Sequence, residues 1–263
     1  MNKKFIIFNC TARPAGGLAD RLKGLVSTYA LSKKLNREFI VNWTFPQKLN
    51  TVLEQNKYNW LPRPIQGLTQ KDYFLIDNDS FNQHKHLFSP VSEMNFPEDL
   101  ITIRTNINFL PLLNTTESFA NLFEELFKPK FTIPSLQEYI GFSARFGGTQ
   151  SNWADSDFDR VVTYDYAFES LQEQMSKNKN KKLFICTDSS AFLDFLKDKG
   201  VNFLTTEGYA EHIDHEGCTE QGFKKVFEDF FILRQCDPIL TIKGEFAKTV
   251  ISSSLTSKTL VTL

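Results

Sequence analysis

Two short apolar runs, Phe5-Ile6-Ile7-Phe8 and Phe39-Ile40-Val41, bracket a stretch in which Leu18, Leu22, Leu25, Val26 and Tyr29 recur at helical spacing. Strand (4–9), glycine-bearing loop, helix and second strand make a β-loop-α-β unit, and a helical crossover leaves its two strands parallel. A parallel sheet needs helices for cover, so this segment places the chain in the α/β class.

The same rhythm returns after Pro134. Strands are predicted near 138–144, at Leu183-Phe184-Ile185-Cys186, at 201–204 and at Ile239-Leu240-Thr241-Ile242. They alternate with helices near 164–177, 190–199 and 219–234, and with a last helix starting near Gly244. Between residues 44 and 135 eight prolines, from Pro46 to Pro134, break the pattern into what reads as irregular helices and loops. Two Rossmann-like, doubly wound domains facing a cleft are therefore expected, residues 1–135 and 136–263. Ligands of such sheets sit beyond the carboxyl ends of the strands.

Several classes of function drop out. Thirty Lys and Arg against 31 Asp and Glu leave no overall field for a nucleic-acid backbone, and no basic-aromatic motif is present. The basic start followed by Phe5–Phe8 imitates a signal peptide, but the apolar run stops at Asn9. Nothing approaches the roughly 18 apolar residues of a membrane span, so no integral membrane segment is expected and contact with a membrane would be peripheral. Cys10, Cys186, Cys218 and Cys236 are scattered without a C-x-x-C pair, which favours reduced thiols and a cytoplasmic location.

Four segments can carry chemistry. Gly16-Gly17-Leu18-Ala19-Asp20-Arg21 places paired glycines at a strand-to-helix turn, either an anion site at a helix N-terminus or a tight turn with Asp20 as cap. Arg145-Phe146-Gly147-Gly148 ends a strand on a guanidinium fork suited to a diphosphate, or to a carboxylate partner within the fold. Thr187-Asp188-Ser189 follows another strand, where Asp188 reads as a ribose or base ligand or as an ordinary helix cap. Last, Asp229 to Glu245 carries Asp229 and Asp237 eight residues apart, then Gly244 and Glu245. His212-x-x-His215 with Cys218 lacks the further ligands of a zinc site and reads as a polar loop; His84, His86, Trp153 and Phe158 read as solvation or packing.

Taken in order, these segments resemble the fucosyltransferase superfamily that includes core α-1,6-, nodulation-factor and, more remotely, protein O-fucosyltransferases. The run Gly16 to Trp43 is similar to the family's opening glycine turn and strand. Ser143-Ala144-Arg145-Phe146-Gly147-Gly148 stands where the family carries His-Ile-Arg-Arg-Gly-Asp, so the first Arg survives as Arg145 and the second is Phe146. Phe184 to Ser189 is similar to the strand ending in Thr-Asp-Asp, with Asp188 as the first acid. Asp229 to Asp237 follows the third motif, after which Gly244-Glu245 replaces the usual Ser-Ser.

The resemblance implies a GT-B fold and an inverting glycosyltransferase that needs no metal or other cofactor. It implies a nucleotide-sugar donor, GDP-fucose first, held mainly by the C-terminal domain, while the N-terminal domain shapes the side of a glycan acceptor in surface polysaccharide or oligosaccharide synthesis. Arg145 would face the β-phosphate, and Asp188 and Asp229 would hold the nucleotide or order its loops. Gly16, Gly17, Arg21, Gly147, Ser189, Asp237, Gly244 and Glu245 complete the expected donor set. Charge growing on the leaving diphosphate would fall on Arg145 and glycine-loop N–H groups, and Asp155, Asp157 or Asp20 would take the acceptor's proton. Two competitors stand beside this reading: another donor, such as a GDP-heptose or hexose, and a non-catalytic nucleotide or glycan binder that has lost the second Arg.

Overall fold

The computed structural model describes residues 3–11, 16–64, 69–75, 78–84, 96–147, 162–209, 211–214, 217–242 and 244–263. The chain forms two compact units. Unit 1 holds residues 1–130 and 213–218; unit 2 holds 131–212 and 219–263.

Unit 1 is built on a four-stranded parallel sheet in the order β2-β1-β5-β4, with β1 Phe5–Cys10, β2 Glu38–Trp43, β4 Gln70–Leu75 and β5 Leu100–Thr105. One face, with Ile6, Phe8, Phe39, Val41, Ile101 and Ile103, is buried. Helix α1, Leu18–Lys34, crosses from β1 to β2 and comes so close to β5 that a Cβ on Gly24 would lie 2.4 Å from the Thr105 carbonyl oxygen. The sequence predicts one apolar face for α1, yet Ser27, Thr28 and Ser32 on its other sides are buried too. Their hydroxyls donate to Asn108 Oδ1 and to the backbone oxygens of Gly24 and Tyr29, which removes the cost of that burial. Helix α3, Phe119–Leu126, supplies part of this outer cover. Also in unit 1 are α2, Asn78–His84, and an antiparallel pair of β3, Leu53–Gln55, with β6, Phe127–Pro129.

The expectation of an irregular stretch over 44–135 therefore misses β4 and β5, and β5 is an inner strand. Pro97 and the polar Gln70-Lys71-Asp72 hide them, because those three residues of β4 are exposed and give no apolar alternation.

Unit 2 matches its predicted rhythm closely. Strands β7 (Tyr139–Ala144), β8 (Lys182–Thr187), β9 (Ile239–Thr241) and β10 (Leu260–Thr262) form a parallel sheet in the order β10-β9-β7-β8. Helices α4, Tyr164–Lys177, and α5, Ser190–Asp198, cover one face through Ala167, Leu171, Phe192 and Leu196. Helix α6, Glu220–Leu233, covers the other, and a Cβ on Gly141 would lie 2.4 Å from Leu233 Cδ1. Helix α7, Glu245–Ser252, joins β9 to β10. The predicted strand at 201–204 shrinks to one parallel bridge between Leu204 and Phe184, and β10 is added at the sheet's edge.

Candidate active site

Three loops of unit 2 leave the same, carboxyl edge of its parallel sheet. Ala144 is in register with Thr187 and Ser143 with Thr241, so Arg145, Asp188 and Gly244-Glu245 follow neighbouring strand ends. This is the edge at which α/β sheets bind ligands.

The loop after β7 is pinned from two sides. Asp188 accepts the N–H of Phe146 on Oδ1 at 2.7 Å and that of Gly147 on Oδ2 at 3.0 Å. The Phe146 ring turns inward, its centroid 4.9 Å from Tyr164 and 4.6 Å from Phe192. Tyr164 in turn shares a 2.7 Å hydrogen bond with the Ser189 hydroxyl, which accepts the N–H of Phe192 and caps α5. Gly147 sits at φ +80°, where a side chain is strained, and this lets the chain turn under the carboxylate. Between these anchors lies half-buried Arg145. Phe146, at the position where the resembled family carries its second Arg, is thus part of the core.

The same geometry corrects the expected roles. Phe146 and Gly147 give their N–H groups to Asp188, so they are spent on the loop itself and not on a phosphate. Ser189 is fully buried as a cap and is no surface ligand. Asp229, also buried, pairs with Lys225 at 3.2 Å and accepts from the Thr206 hydroxyl. Burial pushes its carboxyl above the usual range, against the pull of Lys225. This pair supports Thr205-Thr206-Glu207, which with Gln221, Lys224 and Glu228 walls a depression of about 280 Å³. Asp237 lies at the opposite, amino edge of the sheet, where it accepts the Thr259 N–H at 2.9 Å and donates its own to Tyr139 O. It is removed from the donor set. Gly244, at φ +123°, opens α7 with no side-chain cap, and Glu245 pairs with Lys248 at 2.8 Å. Asp155, Asp157, Trp153, Phe158 and Gly148 lie outside the described residues, as do His86 and His215.

In unit 1 the glycine turn closes on itself. The Arg21 side chain is 1% exposed, and all five of its N–H donors find acceptors. Nε donates to Gly16 O at 3.0 Å, and the two terminal nitrogens reach Cys10 Sγ, Phe45 O at 2.8 Å, Ile213 O at 2.9 Å and Asp214 Oδ1 at 2.9 Å. Asp214 Oδ2 accepts the Gly16 N–H at 3.1 Å. Arg21 is therefore a structural clamp and not a phosphate ligand, and Gly16 is saturated at both backbone groups. Gly17 begins α1 without a side-chain cap. Asp20, a third exposed, pairs with Lys23 at 2.8 Å and caps nothing. Sequence reasoning missed Asp214, whose neighbours His212 and His215 drew attention to metal chemistry instead. Among the described residues no three His, Cys, Asp or Glu side chains gather as metal ligands. All four cysteines are free and buried, and burial pushes the Cys10 thiol up to about 11 despite Arg21 beside it.

Solved structures align over nearly the whole chain. NodZ, an α-1,6-fucosyltransferase soaked with GDP-fucose, covers 96% of this chain and 93% of its own at a TM-score of 0.62 and 13% identity. The chain has the fold of a fucosyltransferase. A mutant of Arabidopsis thaliana FUT1 in complex with GDP matches with TM-score 0.61 and 12% identity, over 96% of this chain and 68% of that one. POFUT1 in its apo form matches at 0.54 and 10% identity, over 98% and 97%. No protein-family model matches the sequence, and neither does any curated protein. Within this fucosyltransferase fold, Arg145 and the pinned loop occupy the strand end that the sequence motif picks out.

Proposed function

We propose that the protein is a glycosyltransferase that takes a sugar, fucose first, from a GDP-sugar and passes it to a glycan acceptor with inversion and without a metal ion. The observation that carries this reading is Arg145 on a loop locked by Asp188 and Phe146 at the carboxyl edge of unit 2. A fold shared with structures solved with GDP-fucose or GDP supports it.

In direct displacement the anomeric carbon gains cationic character while negative charge grows on the departing diphosphate. Arg145 meets that charge from a strand end whose next two N–H groups Asp188 holds, and preorganised charge of this kind stabilises a developing anion. With the Phe146 and Gly147 N–H groups committed, the first-turn N–H groups of α7 after Gly244 offer backbone donors on this edge. Unit 2 serves the donor and unit 1 the acceptor, with Asp20, Asp155 or Asp157 as base. No helix among the described residues is long and apolar enough to cross a membrane. Four reduced, buried cysteines support a cytoplasmic setting, and the acceptor is a surface polysaccharide or oligosaccharide.

A thermal-shift panel of GDP, GDP-fucose, GDP-mannose, a GDP-heptose, UDP and UDP-sugars, with and without EDTA, tests the reading on wild type and Arg145→Ala. A GDP-selective shift that survives EDTA and vanishes in the variant is expected. Absence of any nucleotide shift at saturating ligand overturns it. A larger shift with another GDP-sugar reassigns the donor, and binding without transfer to any acceptor makes the protein a binder.

A further inference from the structure

The face of the unit 1 sheet opposite α1 carries a polar cluster among the apolar Ile7, Ile40 and Leu100. Register places Asn9 beside Asn42 and Thr102 beside Asp72, and Gln70 and Arg104 stand on the same face. Together they line a depression of about 240 Å³. Parallel sheets normally bury apolar residues on both faces, so a polar cluster in a depression on one face is a departure from that pattern. We propose that this depression is a binding subsite for a single neutral sugar.

Its hydrogen-bonding pattern is the reason. Asn42 Nδ2 donates to Asn9 Oδ1 at 3.2 Å, and Gln70 Nε2 donates to Asp72 Oδ1 at 2.9 Å. These bonds fix the amides while leaving the Asn9 N–H₂ donor, the Asn42 carbonyl and the second Asp72 oxygen without partners among the described residues. Neighbouring sugar hydroxyls, each a donor and an acceptor, match such an alternating set. The depression falls below the roughly 300–1,000 Å³ of drug-sized pockets, which suits one ring. Its lining carries one cation, Arg104, and one anion, Asp72, so it has no net charge to favour an anion, and a phosphate beside Asp72 would meet like charge while a neutral sugar would not. That the sugar belongs to the acceptor rests on the transferase reading; the binding itself does not.

Saturation-transfer NMR on the full chain with galactose, glucose, mannose, fucose and N-acetylglucosamine tests the subsite, with inorganic phosphate as competitor. At least one sugar receives saturation at about 10 mM, within reach of weak millimolar binding. Asp72→Ala, at an exposed position, and Asn42→Ala each weaken it tenfold or more, and the GDP-induced thermal shift stays unchanged. No transfer to any sugar, transfer that survives both variants, or displacement by phosphate overturns the subsite. Loss of nucleotide binding with sugar binding intact would sink the transferase reading and leave the subsite standing.

Discussion

In unit 1 the loop after β1 ends on Gly16-Gly17 and an arginine one helical turn later; in unit 2 the loop after β7 carries an arginine just before Gly147. Each is tied down by an aspartate from a distant segment, Asp214 or Asp188, that accepts backbone N–H groups. The outcomes differ in where the guanidinium goes. Arg21 is drawn inside and spends all five donors on the fold, while at the second loop Phe146 goes inside and Arg145 stays half-buried at the strand end. A glycine-arginine motif at a strand end can thus draw its arginine into the core, as at Arg21, or leave it half-buried beside a core phenylalanine, as at Arg145.

The strongest way to break this contrast is Arg21→Ala, which strands Asp214 and the Gly16, Phe45 and Ile213 carbonyls. It should cost about 3–5 kcal/mol in urea denaturation. A loss below about 1 kcal/mol would mean that Arg21 is no clamp. Phe146→Ala should cost about 3–5 kcal/mol as well and loosen the loop, with a reduced GDP shift in its train. Restoring arginine, as Phe146→Arg, should not rescue either property, because the position faces Tyr164 and Phe192. Arg145→Ala should do the reverse, costing less stability than Arg21→Ala and lowering transfer about 10²–10³-fold. Equal damage to stability and activity would erase the distinction between the two arginines.

Asp188→Ala lies between these cases, since it frees two backbone N–H groups. A stability cost of about 1–3 kcal/mol is expected, together with a weaker GDP shift. The smallest effect is a matter of pH. Asp229 holds its proton more tightly folded than unfolded, so its contribution favours folding below the unfolded value and is lost as pH rises through the folded one. Wild type should therefore lose stability relative to Asp229→Asn as pH rises above the ordinary aspartate value of about 4. A difference that grows in the opposite sense would show that Lys225 outweighs burial.

Unit 2 was legible because β7, β8 and β9 are buried on both faces and read as continuous apolar runs; α4 spans 164–177 as its spacing predicts. Unit 1 was half legible. Its opening β-loop-α-β unit stands out, but Gln70-Lys71-Asp72 reads as a loop since one face of that strand is solvated. The carboxyl edge carrying Arg145, Asp188 and Gly244 followed from strand order alone.

Local pattern, then, determined which segments are strands and helices and which loops gather at one edge, because periodicity and chain direction are properties of neighbours in sequence. Only the tertiary structure decided which polar residues are used up inside. Arg21 meets Asp214 across 193 residues, Asp188 meets Phe146 across 42, and Thr206 meets Asp229 across 23. No local pattern contains those partners, and a donor already satisfied within the fold has nothing left for a ligand.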